Sequence, residues 1–146
     1  MKASIKINQS DLNQLNKKLN FFKDFDKKVL SNELGRTALD ISRLAKRTVP
    51  VDTGGLRNSI TAEIQAKTVS VVVNKDYAPY IEFGTGSMVK IDDMVSLGIP
   101  PSYAMQFKGK GLREVNLPAR PFLFSSARIE YNKLLNRLNN RIKKIR

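Results

Sequence analysis

Cysteine and histidine do not occur anywhere in this chain of 146 residues. Their absence removes the thiolate nucleophile, the imidazole base and the usual zinc ligands, and it leaves stability without disulfides. Long apolar runs are missing too. None approaches the roughly 18 residues that cross a bilayer, and Met1-Lys2-Ala3-Ser4-Ile5 lacks the apolar stretch of a secretory signal. The expectation is no membrane, and synthesis in a cytoplasm. Acidic side chains are scarce, 13 against 26 basic ones, for a net charge of +13. With 41% hydrophobic and 27% charged residues, the composition is that of a globular chain rather than a disordered one. One domain is expected over residues 1–146, burying about two thirds of its unfolded surface.

Placement of the charge says more than its size. Residues 1–50 hold 11 basic and 5 acidic side chains, residues 51–112 hold 6 of each, and residues 113–146 hold 9 basic and 2 acidic. The excess lies on two ends that read as helical, around a neutral centre. Such ends suit nucleic acid, an anionic membrane or an acidic protein partner, and solvated Lys and Arg on exposed helix faces account for them equally well.

Periodicity divides the chain into elements. Ser4-Ile5-Lys6-Ile7 alternates as a short strand would. Ser10 can cap a helix through Leu12, Leu15, Leu19 and Phe22, with a break and a new cap at Asp24 and Asp26. Leu30, Leu34, Ala38, Ile41 and Ala45 then form a second stripe that Pro50 stops at Val49. Asp52 is placed to cap a single turn through Arg57. An antiparallel hairpin is expected, Ile60–Ile64 against Val69–Val73, with its turn at Ala66-Lys67. Asp76 can cap a brief helix from Tyr77 to Phe83, ended by Gly84. Residues 86–117 show no period and are expected as a long loop or an extended hairpin, Ser87–Met94 against Val115–Leu117. A last helix, Phe122 to Ile145, gathers Ala127, Tyr131, Leu134, Leu138, Ile142 and Ile145 on one side. The fold class is α+β: N-terminal helices and a long C-terminal helix on a small antiparallel sheet, with a long loop.

Candidate chemistry is thin. Asp52-Thr53-Gly54 is the triplet of retroviral-type aspartic proteases, in which two chains share a proton between paired carboxylates. Here it follows a helix end and a proline instead of an apolar strand, and the downstream apolar-apolar-Gly element is missing, so a capping Asp is the plainer reading. Asp92-Asp93 has no third acid at ligand spacing, and Lys108-Gly109-Lys110-Gly111 lacks the spacing of a phosphate loop. No catalytic residue, metal or cofactor is expected. Glu82, between Ile81 and Phe83, can pair with Arg57 or Arg120, or point outward. Lys133, Arg137, Arg141 and Lys144 form a basic stripe able to hold DNA phosphates without reading sequence.

Three ordered segments carry the rest of the information. Pro50, Asp52, Thr53, Gly54, Leu56 and Ser59 lie in the first; Tyr77, Ala78, Tyr80, Glu82, Phe83, Gly84 and Thr85 in the second; Pro121, Phe122 and Leu123 in the third. In this order, from about residue 45 to 130, they resemble the small tail-completion or neck family of long-tailed phages, the head–tail joining proteins of HK-type and lambdoid phages. That pattern reads Pro-x-Asp-Thr-Gly-x-Leu-x-x-Ser, then Tyr-Ala-x-Tyr-x-Glu-Phe-Gly-Thr, then Pro-Phe-Leu before a last helix. The chain departs from it at Phe124-Ser125-Ser126-Ala127, where a basic-Pro-Ala ending is usual. The resemblance implies a structural virion protein of the tail or neck, made in the host cytoplasm. It implies a homo-oligomeric ring, hexamer or dodecamer, meeting the portal or connector on one side and tail-tube or tail-terminator proteins on the other. The competing class is a basic, non-specific nucleic-acid-binding module.

Overall fold

One helical rod opens the chain in the computed structural model, which describes residues 9–65, 68–108 and 116–144. Gln9–Asp24 (α1), a π-helical segment Phe25–Leu30 and Ser31–Thr48 (α2) succeed one another with Asp24, Leu30 and Ser31 all in right-handed helical geometry. The break expected at Asp24 and Asp26 does not occur. No Gly or Pro interrupts the run before Gly35, so the chain widens a turn instead of leaving the helix. At 1.5 Å per residue the rod spans roughly 60 Å. The strand expected at Ser4–Ile7 lies outside the described residues.

Val49 leaves the helix at ψ 135°, as the following Pro50 requires. A single turn follows, Gly55–Asn58 (α3), then the hairpin of β1 (Ile60–Ile64) and β2 (Val69–Val73), with Ile60 opposite Val73 and Ile64 opposite Val69. Its two strands are the whole sheet among the described residues, and the expected turn at Ala66-Lys67 falls outside them. Ala78–Phe83 (α4) places Pro79 in its first turn, where the missing amide costs nothing. Gly84 ends it at φ 76°.

Residues 86–108 are helical, a departure from the loop or hairpin expected there. A 3₁₀ turn (Gly86–Met88), α5 (Ile91–Ser96) and α6 (Pro101–Lys108) wrap a small core of Val89, Met94, Ala104 and Phe107. Burying Met94 and Phe107 in one cluster rewards helices too short to display a period of their own. Residues 116–121, in neither helix nor strand, precede α7 (Leu123–Lys143), which lies antiparallel to α2. Thr48 sits beside Phe122 and Ser126 at one end, and Glu33 meets Arg137 and Arg141 at the other.

The face α7 turns inward differs from its apolar side. Ser126, Glu130 and Leu134 are buried, whereas Tyr131 and Ile142 are exposed. The main core lies elsewhere, among Ala45, Val49, Leu56, Ile60, Ala78 and Phe122. The fold is thus α+β, with helices predominant.

Candidate functional site

The three segments meet in one place. Leu56 from the first, Ala78 from the second and Phe122 from the third are buried in the same core cluster, with Ile81 and Leu123 packed at its edge. Gly54 takes φ 79° as the N-cap of α3, a left-handed geometry that glycine adopts without steric cost. No side chain caps that turn, so the role expected of Asp52 is not taken up, and Asp52 and Thr53 are exposed. Ser59 closes the turn by donating its hydroxyl to the Leu56 carbonyl at 2.8 Å, and its own carbonyl receives the Asn74 amide at the foot of the hairpin. Pro50 is partly buried between α2 and this turn.

Glu82 joins the second segment to the third. Its carboxylate accepts the backbone amides of Phe122, Leu123 and Phe124 at 2.8, 2.9 and 2.9 Å. These belong to the first turn of α7, which has no side-chain cap of its own. Helix N-termini leave such amides unpaired and carry roughly half a positive charge, so a buried carboxylate is well matched to the place. Glu82 therefore pairs with neither Arg57 nor Arg120 and does not point outward; it is buried. Arg120 contributes through its backbone, donating to the Ile81 carbonyl at 2.8 Å.

Gly84 and Thr85 extend the tie along the segment before α7. The Thr85 amide donates to the Leu117 carbonyl, and the Leu117 amide donates back to the Thr85 hydroxyl, both at 3.0 Å. A Cβ on Gly84 would lie 2.5 Å from the Leu117 oxygen and 2.8 Å from the Ala119 nitrogen. Ser87 adds two bonds to the Asn116 side chain, at 2.8 and 3.0 Å.

Aromatic rings lock the outer side. Phe107 of α6 stands 5.2 Å from Tyr80, 5.7 Å from Phe83 and 5.3 Å from Tyr103, and Phe83 stands 5.5 Å from Phe124. Tyr77, just before α4, and Tyr80 on it remain half exposed. Two open grooves of about 790 and 750 Å³ share Phe83 and Phe124 as a common wall. Met88, Met94 and Ile129 line the first, and Ile99, Pro100 and Tyr103 line the second. Both grooves are open and lined mainly by apolar side chains, and no cluster able to hold a metal ion occurs among the described residues.

The basic stripe is largely engaged within the chain. Arg137 donates to Glu33 and to the Thr37 hydroxyl, both at 2.8 Å, and Arg141 donates to the other Glu33 oxygen at 2.8 Å. Lys133 pairs with the buried Glu130 at 2.7 Å, while Lys144 is exposed just beyond α7. Burial pushes the Glu33 carboxyl up, but the hydrogen bonds and charges of Arg137 and Arg141 outweigh it and hold the pKa below the usual 4.5. Sequence reasoning missed Glu33, Phe107, Asn116 and Phe124. The available signal was the spacing of Arg137 and Arg141, four apart and so able to close on one carboxylate.

Residues 13–84 match the family model of HK97-gp10-like proteins, described as "Bacteriophage HK97-gp10, putative tail-component". No curated protein and no solved structure matches the chain. The family match bears out the resemblance to the phage tail-completion family and shifts its extent. It begins within α1, takes in the first segment and the second as far as Gly84, and ends before Thr85 and the third.

Proposed function

We propose that this chain, HK97-gp10-like over residues 13–84, is a structural component of a long-tailed phage tail, and within it a tail-completion or neck protein forming a ring at the head–tail junction. One observation carries the reading. The Glu82 carboxylate ties α4 to the start of α7, and Leu56, Ala78 and Phe122 share one core, so the three segments serve a single mechanical joint. The joint orients two apolar grooves whose natural occupants are neighbouring proteins: the portal or connector, and a tail-tube or tail-terminator protein. No substrate is turned over.

A basic, non-specific nucleic-acid-binding module is the other reading. It draws less support, since Arg137 and Arg141 of its four-residue stripe are committed to Glu33. The test is a phage with a nonsense mutation in this gene, viewed by electron microscopy. The joint reading expects DNA-filled heads and separate or frayed tails. Normal joined virions lacking the protein would end it.

A further inference from the structure

Residues 86–108 build a core of their own. Val89, Met94, Ala104 and Phe107 are buried together there, apart from the main cluster around Ala45, Ile60 and Phe122. α5 packs on α6, and α6 on the 3₁₀ turn before α5, while neither packs extensively on α2, the hairpin or α7. The chain therefore has a body and a lobe.

Both grooves lie in the cleft between the two. Met94 and Leu97 of the lobe line the larger groove with Phe124 and Ile129 of the body; Leu97 and Tyr103 line the smaller with Ala78 and Phe124. Leu97 and Phe124 belong to both, so one lobe wall serves the whole cleft.

The chain passes from body to lobe at Thr85, which stands between Gly84 and Gly86 at φ 76° and 66°. Thr85 exchanges two hydrogen bonds with Leu117, on the segment before α7. That pairing ties two crossings side by side, as a hinge pin would, and glycines next to it absorb dihedral change without steric cost. Farther out the hold is a latch of rings. Phe107 lies edge-on to Tyr80 and tilted against Phe83. Tyr80 is itself 46% exposed, so releasing it uncovers little apolar surface. Melting the lobe would also expose Val89, Met94 and Ala104, and the less costly opening therefore keeps the lobe core intact.

We infer that residues 86–108 swing as one rigid lobe about the Thr85–Leu117 pairing, with Phe107 on Tyr80 and Phe83 as the latch. Outward movement widens both grooves together, because they share the moving wall. Granted the proposed function, which seats neighbouring proteins in these grooves, an occupant that holds the lobe out in one groove prepares the other for its own.

The absence of native cysteine makes the test direct. Nitroxide labels on Ser96→Cys and Arg128→Cys, exposed residues on opposite walls of the larger groove, report cleft width in the full-length protein by pulsed electron–electron resonance. Labels on Arg43→Cys and Arg128→Cys report the body alone. Two distances are expected for the first pair and one for the second. Tyr80→Ala should raise the longer population about fivefold, the worth of one edge-to-face ring pair, while Tyr80→Phe keeps the wild-type ratio. Hydrogen exchange in α5 and α6 should be unchanged by Tyr80→Ala. A single cleft distance in wild type and Tyr80→Ala alike would mean a fixed lobe and overturn the inference. So would a ratio that Tyr80→Ala does not move, or a longer distance that comes with lost protection across α5 and α6, which is melting. The swing is read on the free chain, so a fixed lobe leaves the phage joint standing, and normally joined virions leave the swing standing.

Discussion

A carboxylate out of water is ordinarily a liability, and Glu82 escapes it because three backbone amides of the first turn of α7 converge on its two oxygens. Removing the side chain costs the bonds and also strands amides in a closed site. Glu82→Ala is therefore expected to lower stability by about 3 kcal/mol, and Glu82→Gln by roughly half that, since one acceptor oxygen survives. Urea midpoints check this, and wild-type midpoints in both variants would refute the cap. Gly84 makes the second residue-scale case, because positive φ and close approach coincide there. Gly84→Ala should cost about 2 kcal/mol or more, with its Cβ 2.5 Å from the Leu117 oxygen. Gly98 is the internal control, at φ 83° with nothing within 4 Å of its Cβ. Gly98→Ala should cost only the left-handed backbone strain, about 1 kcal/mol. Equal losses would mean that the approach of the 117–119 segment contributes nothing.

At the scale of elements, the α2–α7 seam is polar where a helix pair is ordinarily apolar. Glu33 holds Arg137 and Arg141 together, and its folded pKa lies below 4.5. A depressed carboxyl contributes stability that is present above its unfolded pKa and disappears as pH falls through the folded value. Glu33→Gln is thus expected to cost about 2–3 kcal/mol at pH 7, moderated by the half-exposed Arg141. The gap should shrink steadily below about pH 4.5. Urea titrations at pH 7 and pH 3.5 measure it, and an unchanged gap would exclude the ion pair as its source. This seam also marks what could be read from sequence. The hairpin, α4 with its Gly84 stop, and the extent of α7 were legible because period and Gly or Pro punctuation are local signals. The π-helical segment was not, since two aspartates look alike in a break and in a widened turn. Nor was the inner face of α7, because Ser126 and Glu130 read as outward residues until Thr48 and Lys133 supply partners. The link from Glu82 to Phe122 spans 40 residues, and no local pattern announces it.

At the scale of the whole molecule, a net charge of +13 overstates the cations available to a partner. Of the four residues of the basic stripe, Lys133, Arg137 and Arg141 are paired with carboxylates, so neutralising all four together would damage the fold before it reported on DNA. The exposed Lys143 and Lys144, at the end of α7, are the cleaner probe. A polycation of this kind should bind duplex DNA weakly and without regard to sequence, through the phosphates alone. The slope of log affinity against log salt is expected near −3, on the order of three to four neutralised phosphates. Changing Lys143 and Lys144 to Gln should flatten it by about 1.8, at roughly 0.9 for each phosphate no longer neutralised, and leave the urea midpoint unmoved. Arg137→Gln should do the opposite, lowering stability by about 2 kcal/mol and barely altering the slope. Fluorescence anisotropy with two unrelated duplexes across a salt series decides between these outcomes. A marked preference for one duplex at physiological salt would move the weight of the argument from the phage joint to the nucleic-acid module, because point charges on phosphates carry no sequence information, which base contacts or shape readout supply.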